Sequence, residues 1–355
     1  MRRMRPSAGR RVRAPGAERA NCAYARVEVL VDARDRRHWA LTAVCTVFVL
    51  ANGVVAAHAW RFTHFAADGM KTANPEALSW LQRIGVAFTG VVVPRPELTR
   101  EPSAVGLEAV ASLDDGVSTW TATGSGRGTV LLFHGYGATR SDLLDEAVVL
   151  HGAGWTTVLV DFPGSGDSPG DVTTLGWAEA AVVAALTTQR RGPVVLYGKS
   201  MGSAAVLRAM GSLGAHADAL VLENPYDRLV TTVGHRFEAM GLSAQPGAAL
   251  LTLWGGLSLG FNGFAMEPVE FATGVDTPTL LLTGEADPRV HLSEVASIQK
   301  ALAGPSELVV FPRAGHVGLF SADAGLWRTS VLGFLDREVP KIPGSGPESH
   351  GHLPL

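Results

Sequence analysis

The chain has 355 residues, 46% hydrophobic and 18% charged, with a net charge of -3. That is room for one large α/β domain of roughly 250 residues plus appendages. The near-neutral balance, with no basic stripe in the part expected to fold, gives no sign of a nucleic-acid partner. The two cysteines, Cys22 and Cys45, precede the region that carries the chemistry, and the eleven histidines show no HExxH or Cys/His spacing. Neither a thiol nucleophile nor a metal enzyme is therefore expected.

Residues 1–38 hold 11 Arg against 4 Asp or Glu, a net of +7. Pro, Gly and Ala separate these charges, so the segment reads as basic and disordered. Residues 39–60 (WALTAVCTVFVLANGVVAAHAW) contain no charged side chain and are bracketed by Trp39 and Trp60. As a helix this run reaches about 33 Å, enough to cross roughly 30 Å of hydrocarbon, with indoles at both interfaces. Five Arg lie in residues 19–38, while residues 61–80 carry Arg61 and Lys71 as their only Arg or Lys. The bias places the N-terminus in the cytoplasm and the remainder across the membrane. A cleaved export signal is the alternative, because Ala57-His58-Ala59 resembles a cleavage site and Arg36-Arg37 a weak twin-arginine signal.

Residues 61–105 read as a connector with one short helix near 75–85. Two runs, 107–113 and 117–123, flank Asp114-Asp115-Gly116 and predict an antiparallel edge hairpin. Six short apolar runs follow at 129–133, 156–160, 193–197, 219–222, 279–283 and 307–311. Helix-like stretches lie between or after them at 140–151, 174–190, 201–213, 292–303 and 322–337. Continuous apolar strands alternating with helices predict a mostly parallel, eight-stranded α/β sheet covered on both faces. The alternation breaks at about 224–274, where helical pattern and Gly-rich apolar sequence replace a single helix and an insert is expected to form a small cap above the strand ends. Within it, residues 246–265 hold no charged side chain. They suit either an apolar lid for acyl chains, with Leu250, Leu251 and Trp254 as contacts, or simple packing over the sheet edge. Residues 339–355 are rich in Pro and Gly and read as a disordered tail.

Three G-x-S-x-G patterns occur, centred on Ser168, Ser200 and Ser258. A nucleophilic serine needs a sharp strand-to-helix turn, and the next residue must give a backbone N–H to the developing oxyanion. Pro169 has no N–H, which removes Ser168. Ser258 lies in the insert, before sequence without a helical stripe. Ser200 sits between the apolar run PVVLYG and the helical pattern SAAVLRAMGSL, so it is the candidate nucleophile. Oxyanion donors are then the N–H of Met201 and, from the loop His134-Gly135-Tyr136-Gly137, that of Tyr136. The Tyr136 phenol could also line a pocket, and His134 reads as structural. After the last strand, Gly315-His316 offers a base of the one residue type whose unperturbed pKa, about 6.5, lets it accept and return a proton near neutrality. After the preceding strand, Glu285-Ala286-Asp287 offers Asp287 as its orienting acid, with Glu223 a weaker substitute and Glu285 a solvated loop residue.

The motifs HGYG at 134–137, DFPGSGDSPG at 161–170, GKSMG at 198–202, GEADPRV at 284–290 and AGH at 314–316 follow one another in fixed order. Over about residues 106–338 the chain thereby resembles the α/β-hydrolase superfamily, and more narrowly its membrane-anchored Bem46-like and ABHD-type branch. The resemblance implies hydrolysis of esters, thioesters or amides through an acyl-enzyme on Ser200, with His316 and Asp287 completing the triad and no cofactor. It implies a structural role for Asp161 in the turn after the fourth strand. A carboxylic-ester or thioester hydrolase leads, with a peptidase or amidase, or a non-catalytic binding protein on this fold, as the other classes.

Overall fold

The computed structural model describes residues 16–73 and 77–340. The chain divides into two compact units, one ending at Gly53 and the other beginning at Val54. In the first, helix α1 (Gly16–Thr63) begins well before the apolar run and continues past Gly53 into the second. Residues 16–38, expected to be disordered, are therefore helical; their Ala, Arg and Glu are good helix formers. From Asp35 to Thr63 the helix is long and apolar enough to cross a membrane. Residues 1–15 and the predicted tail beyond 340 lie outside the described residues.

The second unit is built on an eight-stranded sheet of order β1-β2-β4-β3-β5-β6-β7-β8. The strands are β1 (Val110–Asp114), β2 (Val117–Ala122), β3 (Thr129–Phe133), β4 (Thr156–Val160), β5 (Val194–Lys199), β6 (Ala219–Glu223), β7 (Thr279–Gly284) and β8 (Ser306–Phe311). The β1–β2 hairpin is antiparallel, β2 joins β4 antiparallel, and every later pair is parallel. Asp115 and Gly116 turn the hairpin with φ of 50° and 79°, the pair of positive angles a tight hairpin turn needs.

Side chains alternate across the pleat, so each buried strand feeds two cores. Leu131 and Phe133 enter one, with Leu196, Ala204 and Ala205; Val130 and Leu132 enter the other, with Tyr197, Trp155 and Trp327. The helices that cover these faces are α3 (Leu144–Gly152), α4 (Glu179–Thr188), α5 (Met201–Leu213), α9 (Leu292–Ala301) and α11 (Ala324–Glu338).

Several boundaries differ from expectation, each for a local reason. The connector helix is α2 (Trp80–Thr89), not 75–85, because Ser79 and Gln82 form a capping box there. The stretch from 140 opens as a 3-10 turn, Arg140–Leu143, before α3. The stretch 174–190 becomes helical only at Glu179, whose carboxylate takes the N–H of Thr174 and Gly176 (each 2.9 Å), and Leu175 has a φ of 58°. The stretch 322–337 is α11, and a short α10 (Leu319–Ala322) precedes it. The insert holds α6 (Leu229–Ala239), α7 (Gly247–Leu259) and α8 (Pro268–Ala272) between β6 and β7, so its Gly-rich apolar part is helical as well. The glycines of α7 cost helix propensity, but Gly256 is where the next segment crosses: a Cβ there would meet Phe261 O and Gly263 N at 2.5 Å.

Candidate active site

Ser200 stands between β5 and α5 with φ 52° and ψ -111°. A non-glycine residue adopts that conformation only when its surroundings force it. Here they do: the Ser200 N–H donates to Glu223 O at 2.7 Å, and its carbonyl accepts from Ala204 N at 3.1 Å. The flanking glycines are sterically required. A Cβ on Gly198 would lie 2.6 Å from Ser203 N, and one on Gly202 only 2.3 Å from Phe133 O.

His316 and Asp287 come from the loops after β8 and β7. Those loops are zipped together: Ala286 N donates to Ala314 O at 2.9 Å and Glu285 N to Phe311 O at 3.0 Å. His316 Nδ1 lies 2.7 Å from Asp287 Oδ2, and His316 Nε2 lies 3.2 Å from Ser200 Oγ. The other Asp287 oxygen, Oδ1, accepts the N–H of Arg289 at 2.8 Å and of Val290 at 3.0 Å. With the carboxylate an acceptor throughout, Nδ1–H must donate to it, which leaves the Nε2 lone pair for the Ser200 hydroxyl. Asp287 is buried, while the His316 side chain keeps 18% of its surface exposed. The structure thus brings the three sequence-predicted residues into one hydrogen-bonded line.

The loop after β3 passes close by. A Cβ on Gly135 would sit 3.4 Å from Ser200 Cβ, and Tyr136 follows directly. Met201 opens α5, so its N–H has no intrahelical acceptor; the Tyr136 N–H has no acceptor among the described residues either. The Tyr136 phenol donates to Phe62 O at 2.7 Å. Burial pushes its pKa up to about 12, against the opposing pull of Arg236, so it stays neutral.

The remaining candidates have structural duties. His134 is fully buried; its Nε2 accepts from Phe162 N at 3.0 Å and its Nδ1 faces Gly135 O at 2.8 Å. Burial lowers its pKa, which keeps the ring neutral. Asp161 gathers the N–H of Arg140 at 2.7 Å and of Asp167 at 3.0 Å, plus the Arg140 guanidinium. Ser168 is a buried link, donating to Asp161 O at 2.7 Å and accepting from Ser118 N at 2.8 Å. Ser258 lies within α7 and bonds Gly255 O at 2.9 Å. Glu285 is exposed, with Arg313 N at 3.3 Å.

Glu223 is not paired with His316. It accepts the Leu319 N–H at 3.0 Å and the Tyr197 hydroxyl, with Lys199 Nζ at 3.8 Å. This buried knot ties the residue before the nucleophile to the segment after His316, a duty the sequence did not reveal. Burial works against the Lys199 charge, but Glu223 and Glu146 outweigh it and raise its pKa.

One His-containing cluster, His235, His291 and Glu294, has ligand-capable atoms all within 4.8 Å of one another. It is assembled from α6 and the start of α9, so no sequence spacing announced it. Its groups already bond within the protein: His235 Nδ1 to Arg289 O at 2.9 Å, and His291 N to Glu294 at 2.8 Å.

A cavity of about 290 Å³ lies beside Tyr136, bounded by α6, α7 and residues 54–63, with Leu175 and Arg289 also lining it. Ser200, Asp287 and His316 are not among its lining residues.

A sequence profile of the Alpha/beta hydrolase family matches residues 130–328, more than half of the chain and the span from the start of β3 into α11. The chain belongs to this family. An uncharacterized protein of Mycobacterium tuberculosis is 27% identical over 248 residues, 67% of this chain and 81% of that one. An uncharacterized Bacillus subtilis protein, YqkD, is 23% identical over 219 residues, covering 59% and 71%. Among solved structures, the Pyrococcus furiosus esterase Pf2001 superposes with a TM-score of 0.58 at 20% identity, over 69% of this chain and 97% of its own. A bacterial membrane phospholipase A superposes with a TM-score of 0.50 at 20% identity, over 66% and 88%. At these identities the likeness is one of fold, and it is the α/β-hydrolase fold that the order of motifs implied.

Proposed function

We propose that the chain is a serine hydrolase that cleaves carboxylic esters or thioesters through an acyl-enzyme. One observation carries the reading: Ser200 Oγ, the His316 imidazole and the Asp287 carboxylate stand in line at 3.2 and 2.7 Å. In the proposed reaction His316 Nε2 takes the Ser200 proton as Oγ adds to the acyl carbon. Asp287 holds the resulting imidazolium in place, and the N–H groups of Tyr136 and Met201 receive the oxyanion. Collapse expels the alcohol or thiol, which leaves with the proton from Nε2. Water then attacks the acyl-enzyme with His316 as base, the acid departs and Ser200 regains its proton. These steps call on no metal or cofactor.

The proposal extends to location. The apolar stretch within Asp35–Thr63 and the five Arg in residues 19–38 support a single membrane span with a cytoplasmic N-terminus and the hydrolase domain, about residues 106–338, on the far side.

A fluorophosphonate probe should label the wild type and leave Ser200→Ala unlabelled. p-Nitrophenyl esters should turn over at least about 100-fold faster than the matching anilides, as befits the better leaving group. An unlabelled wild type, or equal labelling of Ser200→Ala, would contradict the proposal. Faster turnover of the anilides would make the enzyme an amidase.

A further inference from the structure

The apolar run at 39–60 ends inside the second unit as part of a cavity wall. Val54, Val55, His58, Ala59, Phe62 and Thr63 line the cavity; the steps of three and four between them mark one helix face. Gly247, Leu251, Gly255 and Leu259 of α7 also line it, again at intervals of four. The two faces approach closely: a Cβ on Gly255 would lie 4.0 Å from Ala59 Cβ. The helix end is fastened to the hydrolase domain. Phe62 O accepts the Tyr136 phenol at 2.7 Å, Thr63 O accepts Thr173 N at 2.9 Å, and Phe65 N donates to Asp171 O at 2.7 Å.

The lining is apolar along both helices but has a charge bias. Among the described residues its ionic side chains are Lys71, Arg236 and Arg289, with no Asp or Glu. Two buried polar atoms of the lining residues, His58 Nε2 and Thr252 Oγ1, have no partner among the described residues. A volume of about 290 Å³ lies at the bottom of the range of about 300–1,000 Å³ typical of small-molecule sites, so it suits one chain and not two.

We infer that residues 54–63 are a permanent wall of a binding site for one acyl chain of an anionic amphiphile drawn from the bilayer. The inference deepens the proposed function, on which it relies only for what then happens at Ser200. It also bears on the N-terminal segment. Cleavage after Ala59 would remove Val54, Val55, His58 and Ala59 from the wall, so the helix is an anchor that the active protein retains and not a signal that it sheds.

The test uses the full chain in phosphatidylcholine vesicles and a dodecanoic acid carrying a terminal diazirine. Photolysis should label peptides containing residues 54–63 and 247–259. Unlabelled dodecanoate should compete at least about tenfold better than dodecyltrimethylammonium, since the lining favours anions. Ser200→Ala should take the photolabel as the wild type does, and a wild type that takes the photolabel but fails to react with the fluorophosphonate would sink the catalytic reading and leave the site standing. Val55→Trp should cut the labelling at least about fivefold by filling the cavity, and Gly255→Leu should do so from the opposite wall. Leu253→Trp, on the exposed face of α7, should not. The inference is overturned by labelling confined to residues 39–53, by a cation that competes as well as dodecanoate, or by a membrane-isolated protein whose first residue is Trp60.

Discussion

Replacing Asp287 by Asn tests the orienting role of the carboxylate without changing its shape. In the native protein Oδ1 accepts two backbone N–H groups, from Arg289 and Val290, and Oδ2 accepts His316 Nδ1–H. An Asn side chain has one oxygen and one NH2 for these places. Turning the NH2 toward the two backbone donors would leave both unsatisfied, at about 1–3 kcal/mol each. The amide oxygen therefore stays with Arg289 and Val290, and the NH2 faces His316. Nδ1 must then accept, the proton moves to Nε2, and the ring presents a donor where Ser200 needs an acceptor. In a serine protease, the equivalent change costs about 10⁴ in kcat, or about 5.5 kcal/mol of barrier at 1.36 kcal/mol per tenfold. The assay is steady-state hydrolysis of p-nitrophenyl butyrate at pH 7, with the melting temperature as a check on folding. A well-folded Asp287→Asn protein that loses less than about tenfold in kcat would refute the tautomer argument.

Glu146 is buried, and burial, reinforced by Glu223 and opposed by Lys199, pushes its pKa up to about 7. The folded state then holds a proton that the unfolded state releases near pH 4.5, so the contribution of this group to stability is greatest below that value and is lost as pH rises toward about 7. Urea unfolding should show this decline, at up to about 1.4 kcal/mol per pH unit, and Glu146→Gln should flatten it. A Glu146→Gln protein with the wild-type pH slope would contradict the assignment. Gly202→Ala sets a Cβ 2.3 Å from Phe133 O, and backbone cannot move aside cheaply. The melting temperature should fall by at least about 5 °C, and hydrolysis should drop with it; an unchanged melting temperature would mean that the turn is looser than described.

The sheet was legible because burial on both faces writes continuous apolar runs, such as Thr129–Phe133 and Thr156–Val160, and polar turns punctuate them. The line of Ser200, Asp287 and His316 was legible because each residue sits at the end of such a run, and a parallel sheet gathers those ends on one edge. What escaped the sequence depends on tertiary approach. Helix α7 forms against its local propensity, and Gly256 is where the segment 261–263 crosses it. The Glu223 and Lys199 knot joins residues far apart in sequence. The cavity face of residues 54–63 was hidden because an apolar run gives the length of a helix but not what each side meets. Of the three lid residues picked from sequence, Leu251 lines the cavity, while Leu250 and Trp254 do not.

The most direct measurement is the mass of the protein quenched in acid during turnover of a p-nitrophenyl ester, followed by peptide mapping. Ser200 should carry the acyl group in stoichiometric amount during the steady state, and both adduct and turnover should vanish in Ser200→Ala. Sustained hydrolysis by Ser200→Ala, or an acyl group mapped to another residue, would contradict the account.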